Sequence, residues 1–309
     1  RVNVGTDYNA YKTLYYNYKG LPFDYKVNIE LLFFYLNKVI GLFTGDSQWL
    51  FIVTSFLIYF FYYKVIVREC SYYELATYLF IAFGFYFSSL NILRQWIACG
   101  LVFYSFTFIY KNQLIKFLIV TTIATLFHTS AICIFPLYIF IKRLRRNSIR
   151  LLIMLTATVI SFLPGMILNY INSFLISINA NFKYFKYLDE IANSGASGYT
   201  FPLFCLIVFL GYIIVRKSII NINENSEFHI NILTVAFVIT IIGQNLNIFA
   251  RLQFYFLPIL IIIIPNIVAA LKGGLKIIAY TIVLILGFIF MLYSLYNNGG
   301  EPLPYNSIF

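Results

Sequence analysis

The feature that most constrains this chain is the recurrence of apolar runs about 20 residues long, the length that crosses a hydrocarbon core of about 30 Å. Such runs occupy 49–67, 72–89, 92–110, 151–171, 201–215, 229–249, 252–271 and 275–296. Each reads as a membrane-spanning helix, so the expected fold is all-α: a polytopic integral membrane helical protein with about eight full spans. Composition agrees. Of 309 residues 61% are apolar and 11% charged, against roughly 25% charged in soluble domains. The net charge of +11 is not set in a basic stripe with polar surroundings, so nucleic acid is excluded as a partner. Cys70, Cys99, Cys133 and Cys205 lie in or beside apolar runs, without CxxC spacing or a neighbouring histidine. Neither a disulfide framework nor a metal site is expected from them.

The stretch 114–141 is too long for one upright helix and is interrupted at Phe127-His128-Thr129-Ser130. Charge bias decides its course, because basic residues in short loops mark the cytoplasmic side. A single crossing would separate Lys111 and Lys116 from Lys142, Arg143, Arg145, Arg146 and Arg150, whereas a short broken helical hairpin keeps them together. The hairpin also puts Lys64, Arg68, Arg216, Lys217, Lys272 and Lys276 inside. Downstream of residue 45 only Arg94, Lys183, Lys186 and Arg251 are left outside.

Charge bias does not decide the side of the N-terminal segment, residues 1–48. Its first 28 residues are polar and Tyr-rich, and 28–43 forms an interfacial helix interrupted by Glu30, Asn37 and Lys38. Residues 49–296 form the transmembrane bundle, with 172–200 as its outer loop, and 297–309 are an extracytoplasmic tail. Together they make one integral-membrane domain. The first residue is Arg1 rather than Met and no charged-then-apolar leader is read, so a missing upstream stretch is expected.

Two arginines stand in apolar sequence, where an ionised side chain near the bilayer costs about 2.5–3.5 kcal/mol on insertion scales. Arg94 shares a helical spacing with Asn91, Gln95 and Ala98, and Arg251 follows Gln244 and Asn247. His128 and Thr129 mark the hairpin tip on the same side. The bland readings are that a terminal arginine snorkels to headgroups, that Asn and Gln join helices, and that His128 merely breaks a helix. Convergence favours function, because three separated segments place their least lipid-compatible residues at one depth. Guanidinium groups bind phosphate or pyrophosphate bidentately, and lipid-linked sugars carry pyrophosphate at that depth. No P-loop, GxSxG or HExxH occurs. No pair of acids of the kind a proton-coupled transporter needs lies within the spans.

The run Arg1-Val-Asn-Val-Gly-Thr-Asp7-Tyr8 with Tyr11, Glu30 opening a Leu/Phe-rich helix, Asn91-Ile-Leu-Arg94-Gln95-Trp-Ile-Ala98, Phe127-His128-Thr129-Ser130-Ala131 and Pro304-Tyr305 resembles the EpsG family of bacterial polysaccharide polymerases, related in role to Wzy-type O-antigen polymerases. The resemblance spans nearly the whole chain, and it implies membrane sequence ahead of residue 1 and an extracytoplasmic 1–48 segment in which 28–43 is an interfacial helix. It implies polymerisation of undecaprenyl-pyrophosphate-linked repeat units at the outer leaflet of the bacterial inner membrane, with the active site facing the periplasm. Donor and acceptor are both lipid-linked oligosaccharides, membrane lipid surrounds the protein, and a chain-length regulator is a possible partner. The expected enzyme is a glycosyltransferase with neither metal nor cofactor. Arg94 and Arg251 hold the pyrophosphate and His128 acts as general base. Asn91, Gln95, Thr129, Gln244 and Asn247 bind or orient substrate, and Asp7, carried by the family run, is an alternative base. A flippase for the same lipid-linked glycan, an O-antigen ligase and a sugar acyltransferase are the competing readings.

Overall fold

The helices of the computed structural model, which describes residues 2–25, 29–162, 198–244, 251–298 and 301–306, begin and end where polar and left-handed residues interrupt the apolar runs. No strand occurs among the described residues. Thirteen α-helices follow one another: α1 (Tyr8–Lys19), α2 (Leu31–Phe43), α3 (Gln48–Glu69), α4 (Tyr73–Ala82), α5 (Phe85–Ser88), α6 (Leu93–Tyr110), α7 (Leu114–Phe127), α8 (Leu137–Arg143), α9 (Asn147–Ser161), α10 (Thr200–Ile222), α11 (Ser226–Ile242), α12 (Leu260–Ala270) and α13 (Gly273–Tyr296). By length and composition, α3, α10, the 253–270 stretch and α13 are each able to cross a membrane. The all-helical, polytopic reading holds. The expected spans 151–171 and 229–249 run into residues outside those described, as do the outer loop 172–197 and Asn247.

Two compact units divide the chain: residues 1–138 with 264–309, and residues 139–263. In the first, α3 packs on α6 and α6 on α7, and α1 and α2 pack together at one end. An aromatic cluster fills the α3–α6 layer. Trp96 and Tyr62 are buried, with ring centroids 6.1 Å apart, and Phe103 stands 5.1 Å from Tyr62. Gly100 permits this approach, because a Cβ there would meet the Ile58 carbonyl oxygen at 3.3 Å. The expected span 72–89 is broken at Gly84, whose φ of +77° is natural only to glycine and separates α4 from α5.

The hairpin expected over 114–141 is present. Helix α7 ends at His128, whose extended backbone starts a 3-10 turn over Thr129–Ile134, and α8 returns the chain. Phe117 near the start of α7 lies 5.1 Å from Tyr138 in α8, which closes the two arms.

The polar N-terminal segment differs from expectation, because it contains a helix of its own. Tyr8, Tyr11 and Tyr15 recur at helical spacing and are buried on one face of α1. That face packs on Phe33 and Ile40 of α2 and on Leu50 and Phe51 of α3. Thirteen residues of α2 rise only about 20 Å at 1.5 Å each, too short for a crossing. Its polar interruptions face protein. The Asn37 amide donates to the Phe33 carbonyl at 2.7 Å, and Lys38 Nζ donates to the Lys19 carbonyl at 3.3 Å beneath the Phe23 ring.

In the second unit α11 packs against α9 and α10. Arg150, expected in a solvated cytoplasmic loop, is instead fully buried on α9. Its guanidinium donates to Glu227 at 2.7 Å, to Asn231 at 2.8 Å and to the Leu144 carbonyl at 3.0 Å. A buried charge is tolerated only when paired and hydrogen-bonded in this way. The partners come from α11 and the 144 turn, which a linear reading of loop charges does not see. His229 is likewise buried.

Candidate functional site

The start of α2, the start of α6 and the end of α7 meet at one end of the first unit, and each brings one ionisable side chain. Glu30 immediately precedes α2, with extended backbone (φ −62°, ψ 135°). One of its carboxylate oxygens, Oε2, accepts from the Arg94 guanidinium. The other, Oε1, is 2.8 Å from His128 Nδ1. Glu30 is therefore a bridge between the arginine and the histidine singled out by sequence. Its side chain is only 10% exposed, against 31% for Arg94 and 22% for His128, so the two partners keep a way out to ligand. Phe33 lies beneath the guanidinium, 5.9 Å from its carbon to the ring centroid.

Burial pushes the Glu30 carboxyl up, but the hydrogen bond with His128, its own backbone N–H and the Arg94 charge together hold it down at about 2, against an ordinary 4.5. Glu30 is thus an ionised acceptor throughout the neutral range. An ionised carboxylate has no proton to donate, so the proton in the Glu30–His128 bond belongs to Nδ1 and the neutral ring's lone pair is on Nε2. Burial also raises the Tyr11 phenol, against the pull of Arg94, so a neutral hydroxyl lies beside the guanidinium.

A group whose folded pKa is depressed contributes stability above its unfolded value and loses it as pH falls through the folded value. The Tm difference between wild type and Glu30→Gln in detergent is expected to be constant above pH 4.5 and to shrink between 4.5 and about 2. A difference that is flat through that window would disconnect the pairing from stability.

Asp7 has a different neighbourhood from the one expected of a base. Its Oδ2 accepts the Ile92 backbone N–H at 2.9 Å, so it ties the start of α1 to the start of α6. Asn91 completes the tie. Its Oδ1 accepts from the Asp7 N–H at 3.2 Å and the Thr6 hydroxyl at 3.3 Å. Asn91 is not on the helix with Arg94, because Ile92 adopts a left-handed conformation (φ 40°) and α6 starts only at Leu93. Gln95 is buried, and Thr129 is exposed at the start of the 3-10 turn. Gln244 and Arg251 belong to the second unit. There Gln244 is buried and its amide donates to the Thr240 carbonyl at 2.9 Å, and Arg251 is exposed.

Sequence reasoning gave no role to Glu30 or Tyr11, although both stand in the runs that carry the family resemblance. A signal for Glu30 existed. It is a carboxylate at the head of an apolar helix, in a chain with only 11 acidic residues.

No curated protein and no solved structure matches the chain. A family model does, over residues 1–307, almost the entire length. The segments that build the Glu30 bridge all fall inside that match, and the chain belongs to the EpsG family, which supports in general terms a membrane-bound polysaccharide polymerase.

Proposed function

We propose that this protein joins lipid-pyrophosphate-linked oligosaccharide repeat units into surface polysaccharide at the outer leaflet of the bacterial inner membrane. The observation that carries the reading is the Glu30 bridge: three ionisable groups, each costly near lipid, come from three segments to one partly open place. The acceptor sugar hydroxyl attacks the anomeric carbon of the donor. Its oxygen forms the new C–O bond, its proton passes to His128 Nε2, and the bond to pyrophosphate breaks with its electron pair on the leaving group. Glu30 holds Nδ1–H and offsets the imidazolium charge, the part a carboxylate plays behind a histidine base.

Arg94 is anchored to Glu30 through one of its five N–H donors. The Tyr11 hydroxyl takes up another part of the guanidinium, and the N–H donors that neither holds face the growing charge on pyrophosphate, an electrostatic contribution often the largest in such a site. The step as proposed needs neither metal nor cofactor. Asn91 and Asp7 position α6, and with it Arg94. Thr129, exposed at the start of the 3-10 turn, supplies a polar contact to sugar.

The test is a purified single-repeat donor on its undecaprenyl-pyrophosphate carrier, given to the protein in detergent with no other acceptor. A ladder of products supports polymerisation. Unchanged donor, moved across the bilayer when the protein is placed in vesicles, would overturn it in favour of a flippase.

A further inference from the structure

The first unit also holds a cleft of about 320 Å³, between α3, the α5 region and the C-terminal tail. Tyr59 and Tyr86 stack at 5.9 Å with their rings 20° from parallel. The Tyr86 and Tyr305 hydroxyls are 3.4 Å apart, and the Tyr59 hydroxyl is 3.0 Å from Ser89 Oγ. Gln48 and Ser55 add an amide and a hydroxyl that have no side-chain partner among the described residues.

Three features of this cleft narrow its ligand. Its volume is at the low end of small-molecule sites, about 300–1,000 Å³. No lysine, arginine, aspartate or glutamate lines it among the described residues, so these offer no charged partner to an anion such as pyrophosphate. Its phenols, amide and hydroxyl are surplus to the needs of a lipid chain. Flat aromatic faces with donors and acceptors at their edges suit a molecule that is apolar on one face and hydroxylated at its rim, which is the description of a sugar ring.

Position supports the same occupant. Leu90 lines the cleft four residues before Arg94, and an extended chain of that length spans at most about 14 Å. Phe51, also in the lining, stacks on Tyr8 at 4.7 Å in the helix that Asp7 ties to α6. The tail that delivers Tyr305 is fastened to the N-terminal segment, by Val2 N–H donating to the Asn306 carbonyl and Gly5 N–H donating to the Glu301 carbonyl, both at 2.9 Å.

We infer that this cleft is a saccharide subsite, taking neutral sugar rings of the lipid-linked glycan beyond the residue that reacts at His128. The inference rests on the polymerase reading for the identity of the glycan, and it adds a binding place that the reaction centre does not contain.

The probe is the free repeat-unit oligosaccharide, without lipid or phosphate, obtained by hydrolysis of the native polysaccharide. Its binding to the purified full chain is read by saturation-transfer NMR, with no reaction under way. Wild type and His128→Ala are expected to bind it alike. Tyr305→Ala, at an exposed residue, and Gln48→Ala are expected to weaken binding about two- to tenfold, and Tyr305→Phe to restore most of the loss by returning the ring. Equal binding by wild type and Tyr305→Ala, or none by wild type, overturns the subsite even if ladders form. Tyrosine-dependent binding without any ladder leaves the subsite standing and removes the polymerase reading instead.

Discussion

Replacing His128 with alanine is expected to lower ladder formation by about 10²–10⁴-fold, the usual contribution of a positioned general base. The side chain is partly exposed at the end of α7, and its removal deletes no core packing, so the variant should insert and fold. Glu30→Gln is expected to act in the same direction for a different reason. The amide no longer forces the proton onto Nδ1 and no longer offsets the imidazolium, and in a serine-protease triad the same exchange costs roughly 10⁴-fold. Glu30 is a positioning residue on this account, so its loss should appear chiefly in kcat and should alter the pH profile, with little change in KM. His128→Ala and Glu30→Gln combined should be scarcely worse than either alone, because groups acting as one unit are not additive. Wild-type chain length in either single variant would remove the pair from the reaction.

Arg94 carries the second large effect. Alanine at this position is expected to abolish polymer, through about 10²–10³-fold from lost charge stabilisation at the leaving group. Lysine should restore little, because a point charge cannot serve Glu30 and a phosphate oxygen with one planar fork. Removing one partner of a largely buried pair also strands the other, so instability is a competing explanation for Arg94→Ala alone. The double variant Glu30→Ala with Arg94→Ala separates the two, since it leaves no stranded carboxylate. It should recover monodisperse protein in detergent without recovering ladders. Polymer made by the double variant would show that Arg94 serves only to neutralise Glu30.

Apolar runs near 20 residues and the interruption at His128 were sufficient for the helical, polytopic class and the hairpin. Both signals are local, and helix geometry converts them directly into length and direction. Tyr8, Tyr11 and Tyr15 show where legibility was lost through weighting. Their spacing was helical, but the polarity around them hid an amphipathic element that buries tyrosine against α2 and α3. Arg150 shows a different limit. Its burial cannot be read from loop charges, because its partners Asn231 and Glu227 lie far along the chain.

The sequence by itself determined that the chain is a bundle of apolar helices and that Arg94 and His128 are out of keeping with lipid. Both follow from transfer energies that belong to a residue and its near neighbours. Only the tertiary structure decided that Glu30 joins them, 64 residues from one and 98 from the other. Pairing is a property of distance in space. A carboxylate read along the chain as a flaw in an apolar helix becomes, once α2 is laid beside α7, the group that sets the proton on His128 and holds Arg94 in place.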